Sequence, residues 1–367
     1  MFESIEYILR IISYFMLVYV VYQTLEIGYK GHQQDSRKLK VSHLYIIVVS
    51  FVLAVWAVWN FLEGAGDHYN YAFRFENVDD TTIYLQSYGL GLIYDFLHNF
   101  TTNSDTMFVV VIFLGNYLTF WAYRIYDKAT PRSMLFLLLS EFFLYNFAAI
   151  KQFVAVGFSC LFFAHLFSGK RIWCLVWIPL AIMFHEMAYL LIPIYFILLF
   201  QDNYYIRLGA LGAFALIFLL PFVFTRIISM ISAIIPTLGV QLREFLYGYE
   251  SMGMGTNFVT ILKGVPYYLF SLMPLFHKGT SKDVIANYNG GQFLTNLCTI
   301  FVLASLFNYW YFRFSYLMMF PVFVHMDKVV EAVDSNDALI MRHIAVLTLV
   351  GLTVKYLFQM FFMYGGI

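Results

Sequence analysis

Four short polar clusters interrupt an otherwise apolar chain: Gly64-Ala65-Gly66-Asp67-His68-Tyr69, Lys151-Gln152, His185-Glu186 and Arg313. Together they hold a carboxylate, an ammonium, an imidazole beside a second carboxylate, and a guanidinium. Such a set can take a proton from a hydroxyl and neutralise an anionic leaving group. Asp67 follows a Gly-x-Gly turn and precedes Tyr69 and Arg74. The glycines let backbone approach a ligand closely, and the carboxylate can accept a proton, hold a hydroxyl or bind a metal. Lys151 and Gln152 open an apolar run, so a helix starting there offers an anion a cation, amide donors and a favourable dipole. His185 can serve as a base near neutral pH or, beside Glu186, as a cation toward phosphate. Arg313, within Tyr309-Trp310-Tyr311-Phe312-Arg313-Phe314-Ser315-Tyr316, can grip a diphosphate with two parallel hydrogen bonds. Each has a plainer alternative: a helix-capping acid, a snorkelling lysine, a packing histidine, an arginine stacked on aromatics. Lys263 and Lys355 are weaker cations of the same kind.

The surroundings make these groups costly to keep. Hydrophobic residues are 61 % of the 367 and charged residues 12 %, with mean hydropathy +0.73, against about 25 % charge in soluble domains. An ionisable group at the edge of hydrocarbon costs roughly 2.5–3.5 kcal/mol on insertion scales. Apolar runs of about 17–25 residues recur along the chain without period-two alternation. The sequence thus specifies an all-α polytopic membrane protein and not a β-barrel. Net charge is zero, which gives no support to nucleic-acid binding. Cys160, Cys174 and Cys298 are scattered through apolar segments and read as core residues, not as a disulfide or metal site. Glu3 and Glu6 stand where a cleavable signal peptide needs positive charge, so the first span is expected to stay in place.

About twelve spans are predicted, roughly at 7–27, 44–62, 106–126, 133–149, 151–168, 172–185, 187–200, 207–224, 258–276, 291–307, 310–326 and 343–363, forming a single integral membrane domain over 1–367. The sixth and seventh are short for a bilayer, as if they stop beneath an open cavity. Lys30, Arg37, Lys38 and Lys40 form the strongest basic loop and belong on the cytoplasmic side. Alternation from there also places Arg124, Lys128, Arg132, Lys170, Arg171, Arg207, Lys278, Lys282, Lys328 and Arg342 inside. Both termini and all four polar clusters then lie outside. The outer segments at about 63–105 and 225–257 are long and semi-apolar, so they are expected to be amphipathic pieces that lie in the interface or re-enter the protein. No internal repeat, P-loop, Gly-x-Ser-x-Gly elbow, His-Glu-x-x-His or cysteine-rich metal motif is present in the sequence. No cofactor and no metal are expected.

The order of the motifs carries a resemblance. Gly-x-Gly-Asp-x-Tyr after the second span, then Ile-Lys-Gln, Phe-His-Glu and Tyr-Phe-Arg-Phe, resembles the EpsG family of Wzy-like polysaccharide polymerases. That family commonly has Arg-Gln where this chain has Lys151-Gln152, and Glu-Pro in the first outer loop where this chain has Gly89-Leu90-Gly91. The resemblance implies a GT-C-like membrane glycosyltransferase of exopolysaccharide or biofilm-matrix synthesis in the bacterial cytoplasmic membrane. Its substrate would be an undecaprenyl-diphosphate-linked oligosaccharide delivered outward by a flippase. The expected partners are membrane lipid, that flippase and a chain-length regulator. His185 or Asp67 would be the catalytic base, and Lys151, Gln152, Arg313, Tyr69, Glu186 and Arg74 would bind substrate. A flippase of lipid-linked sugar, or a glycan transferase like the O-antigen ligases, is the alternative. The first should show polar residues deep in many helices, whereas here the clusters gather on one side.

Overall fold

The computed structural model describes residues 2–30, 42–60, 67–77, 87–219, 264–269, 289–305, 309–332 and 336–359, with a few positions between 226 and 233. Gly64, Gly66, Arg243 and Lys263 lie outside the described residues, as does most of the outer segment at 225–257. Described residues in regular structure are helical, and none is in a strand. The chain divides into two compact units. The first comprises Met1–Ile192, Leu317–Asp327 and Leu349–Ile367; the second comprises Pro193–Tyr316 and Lys328–Thr348.

The first unit opens with α1 (Phe2–Lys30) and α2 (His43–Asn60). Two short helices follow, α3 (His68–Glu76) and α4 (Tyr88–His98), in the expected amphipathic outer segment. Their buried residues, Tyr71 and Phe75 on α3 and Leu90, Tyr94 and Leu97 on α4, recur at helical spacing, which gives each one apolar stripe to dock. Next come α5 (Ser104–Ile125), α6 (Pro131–Leu138), α7 (Glu141–Ala148), α8 (Ile150–Phe167) and α9 (Arg171–Phe184). Ile5–Ile27, α2, α5 and α8 are long and apolar enough to cross a membrane; α9 and three later helices are apolar but shorter. Burial grades across them, from 17 % of the apolar window in α1 to 83 % in α8. The helix that carries Lys151 is thus enclosed, while the outer face of α1, with Ile5, Leu9, Ile12, Met16 and Tyr19 exposed, suits lipid.

The segment expected as one span at 133–149 is two helices. It breaks at Leu139–Ser140, where Ser140 caps α7 by accepting from Phe143 N (3.3 Å). A break inside an apolar bundle frees carbonyl groups that need donors. Tyr14 Oη donates to Leu138 O, and Thr353 Oγ1 donates to Leu139 O at 2.6 Å. Two distant hydroxyls thus make the interruption affordable. At the other end of α6, Thr130 and Ser133 form a capping box, and the buried Asp327 accepts from Thr130 Oγ1 (2.7 Å) and Arg132 Nε.

The second unit contains most of α10 (Leu191–Leu199), then α11 (Tyr204–Leu219) and α12 (Asn289–Ala304). The segment expected as a span at 310–326 begins instead as a 3-10 helix, Tyr309–Met318, followed by α13 (Met319–Ala332) and α14 (Asn336–Gln359). Ten residues of 3-10 geometry is long, since its hydrogen bonds are poorer than those of an α-helix. An aromatic cluster holds it: Phe218 packs against Phe301 (5.0 Å), Tyr311 (5.2 Å) and Phe314 (5.5 Å), each near edge-on. The three cysteines are buried and unpaired, as core residues should be.

Candidate active site

Helix register within the first unit decides which candidates meet. α5 and α8 run in the same direction. A Cβ on Gly115 would lie 2.6 Å from the Phe153 ring, one on Gly157 would lie 2.8 Å from Leu118 Cβ, and the Tyr126 and Phe167 rings are 6.1 Å apart. Neighbours therefore differ by about 40 in residue number from end to end, and α5 projects roughly 9 Å beyond the start of α8. α9 returns along α8. Cys174 Sγ donates to Phe162 O (3.5 Å), Trp177 Nε1 donates to His165 Nδ1 (3.2 Å), and the Phe158 and Phe184 rings lie 5.8 Å apart. That register brings the end of α9 within about two helical turns of the level of Lys151.

The two short helices start in the same layer. The His68 ring is 4.4 Å from Phe108, while Ser104 Oγ donates to Glu76 Oε1 at 2.8 Å, so α3 begins deep and rises along the first turns of α5. Ser87 Oγ donates to Phe184 O at 3.0 Å, which pins the start of α4 to the end of α9. Gly89 lies against the Phe184 ring, where a Cβ would come within 2.7 Å, so this position excludes any larger residue unless the ring moves. Tyr94 Oη donates to Tyr71 O (3.3 Å) and the His98 ring stacks on Phe75 (4.4 Å), so α3 and α4 rise together. Burial pushes the Tyr94 phenol above its usual range, with Arg74 opposing, which keeps it a donor. The N-terminus of α4 thus meets the C-terminus of α9, while α3 and α8 begin toward the same end of the bundle, so Asp67, Lys151 and His185 lie in one end layer spread over about two to three helical turns of its length. The helix N-termini turn their positive ends toward it.

Asp67 occupies the cap position of α3, yet its side chain makes no capping hydrogen bond, and it is exposed. Tyr69 is exposed and stacked on Phe73 (6.3 Å). Arg74 is partly buried in the last turn of α3. Lys151 is half-buried in the first turn of α8, behind Ala149, which offers no side-chain cap. Gln152 is fully buried, and neither polar atom of its amide has a hydrogen-bond partner. His185 is 4 % exposed in an extended conformation that ends α9 and starts the 3-10 turn Glu186–Leu190. Glu186 opens that turn, its carboxylate 3.7 Å from His185 Nδ1. Arg313 is partly buried between the buried Phe312 and Phe314, in the second unit.

The whole-chain comparison decides the family: the EpsG family profile matches residues 43–365. The chain belongs to the EpsG family. Membership makes it an exopolysaccharide polymerase with glycosyltransferase-type activity, and its apolar helices make it a membrane protein. No curated protein and no solved structure matches it.

Two further residues of this EpsG-family chain line the layer and carried no sequence signal of their own. Asn146, in the last turn of α7, is fully buried with both amide atoms unpartnered, like Gln152 across the Ala149 break. An unmade hydrogen bond at a buried polar group costs about 1–3 kcal/mol. Ser87 is the other, visible only through its bond to Phe184 O. At Gly89 the absence of a side chain has its reason in the Phe184 contact.

Proposed function

We propose that this polymerase joins undecaprenyl-diphosphate-linked oligosaccharide repeat units at the outer face of the bacterial cytoplasmic membrane, in a GT-C-like bundle of about twelve spans within one integral membrane domain. The observation that carries the reading is the end layer that holds three helix N-termini, a lysine, a buried amide pair and an uncommitted carboxylate. An anionic leaving group and a hydroxyl acceptor need such neighbours.

In the reaction, a sugar hydroxyl of the incoming lipid-linked unit attacks the anomeric carbon of the growing chain. The bond from that carbon to the diphosphate oxygen breaks, and the electron pair leaves with the lipid diphosphate. Lys151 and the uncapped first turn of α8 suit that developing charge, since preorganised donors act strongly in a site that excludes water. Arg313 is assigned the same role through its two-pronged geometry. Gln152 and Asn146 offer donors and acceptors to sugar hydroxyls, Tyr69 a ring face to a sugar, and Arg74 and Glu186 further polar contacts. The acceptor proton goes to Asp67 or His185. No cofactor or metal enters the scheme. A flippase that supplies the units and a regulator that limits chain length are the partners it calls for.

The test is direct. Purified protein in lipid, given a synthetic undecaprenyl-diphosphate repeat unit, should yield a ladder of longer lipid-linked products and release undecaprenyl diphosphate. Movement of intact units across the bilayer without a ladder would establish the flippase alternative. Transfer of glycan to a different acceptor, again without a ladder, would establish the ligase alternative.

A further inference from the structure

We infer that α4 is a re-entrant helix: its first turns stand inside the hydrocarbon of one leaflet, and its exposed edge, Tyr88 and Leu92 with Phe96 and Phe100 above them, seats against the lipid of that leaflet. This requires membrane residence alone and holds whatever the substrate. Depth comes from register. The Phe184 and Phe158 rings lie 5.8 Å apart, and a Cβ on Gly157 would lie 2.8 Å from Leu118 Cβ, so the end of α9 is level with the Leu118 turn of α5. Ser104 opens α5 fourteen residues before Leu118, about 21 Å further along the bundle. Ser87 Oγ donates to Phe184 O, which sets the start of α4 at the deep level. Its other end is back near the top. The His98 ring stacks on Phe75 at 4.4 Å, and the next residue, Glu76, accepts from Ser104 Oγ at 2.8 Å. The eleven residues of α4 climb about 16 Å and cover most of that height.

The membrane edge follows from α9. Its 14 residues start at a turn where Lys170 and Arg171 are exposed, and they rise about 21 Å against about 30 Å of hydrocarbon. α9 therefore stops about 9 Å short of the far edge, a height that about six helical residues make up. The first six of α4, Tyr88-Gly89-Leu90-Gly91-Leu92-Ile93, carry no charge, and the first charged residue, Asp95, follows just beyond them and is exposed. Non-helical backbone at such depth is tolerated only inside protein. Ser87 meets that condition: it is buried and caps α4 by accepting from Leu90 N at 3.4 Å. One face of α4 is spent on protein through Leu90, Tyr94 and Leu97. Tyr88, Leu92, Phe96 and Phe100 recur every four residues along another face and are 43–74 % exposed. Below them the exposed Ile172, Leu175 and Val176 give α9 a lipid-suited surface, and the Ser87–Phe184 bond sets α4 on the end of that helix. Phe96 falls in the headgroup layer, beside the exposed Asp95 and Asn99.

Nitroxide accessibility tests this in full-length protein held in lipid nanodiscs. Single cysteines replace Leu92, Asn99 and, on the lipid-suited face of α1, Met16, and each is spin-labelled. The native cysteines are buried, and unsubstituted protein gives their background. The Leu92→Cys label should collide with dissolved oxygen and escape a water-soluble nickel chelate, like the Met16→Cys label, while the Asn99→Cys label should meet the chelate. Equal chelate access at Leu92→Cys and Asn99→Cys would put the row in water and overturn the inference. Protection of Leu92→Cys from both reagents would show that protein covers the row. Dipolar broadening between labels, lost on dilution with unlabelled protein, would name a second copy as that cover; either result also overturns it. Tyr88→Cys gives a second reading one turn away, and its label should lie deeper in the lipid than that of Leu92→Cys. The reverse order would mean that α4 does not climb out of the leaflet. No arm depends on polymer formation, so failure of the polymerase reading would leave this result standing.

Discussion

Replacing Gly115 by alanine tests the register that places Lys151. The new methyl would sit 2.6 Å from Phe153 Cδ1 and 2.8 Å from Cγ, against 3.4 Å or more for an ordinary contact. The ring must retreat by about 0.8 Å, the difference between those distances. It has little room: Phe153 is fully buried, with Phe147 at 5.6 Å and Phe143 at 5.9 Å. The displacement therefore passes into the first turn of α8, which carries Lys151 and Gln152. Overpacking of this kind costs about 1–3 kcal/mol, and a shift near 1 Å at a reacting group costs about 10² in rate. Gly115→Ala should lower the melting temperature in detergent and cut polymer yield per folded molecule about a hundredfold. Gly115→Ala/Phe153→Leu should recover most of both, because the smaller side chain vacates the contact. Gly212→Ala is the control, with nothing within 4 Å of the added methyl. If Gly115→Ala melts and polymerises like the parent, α5 and α8 do not pack in this register and the layer dissolves with it.

Other outcomes follow from single contacts. Lys151→Ala should cost about 10²–10³ in turnover, while Lys151→Arg keeps the charge and retains most activity; an active Ala variant would return Lys151 to a snorkelling role. Asp327→Ala removes the buried carboxylate shared by Thr130 and Arg132, at about 3–5 kcal/mol. It should lower thermal stability while the surviving folded fraction keeps its specific activity; an unchanged melting temperature would refute that role. Cysteines placed at the exposed Asn70 and Asn99 should react with an impermeant thiol reagent outside intact cells, whereas labelling only after permeabilisation would reverse the proposed orientation. Asn146 is buried inside α7 and is unsuited to the same labelling.

The sequence by itself determined the class and the parts. Hydropathy and run length require helices in lipid, because an unpaired backbone polar group in hydrocarbon costs too much for any open alternative. The boundaries of α2, α5, α8 and α9 follow from the same runs, whose ends fall at Lys151 and His185. The motif order led to the family that the whole-chain match bears out. Tertiary structure decided what depends on neighbours distant in sequence. The break at Leu139–Ser140 is invisible in an apolar stretch because its freed carbonyls are satisfied by Tyr14 and Thr353, more than a hundred residues away in either direction. The buried amide of Asn146 looks like an ordinary helix residue until packing removes its water. The bond from the Met187 backbone N–H to His185 Nδ1 depends on a turn that hydropathy does not encode. Composition fixes what must be buried; only the packed register of α5, α8 and α9 fixes which helix ends lie at the same end of the bundle.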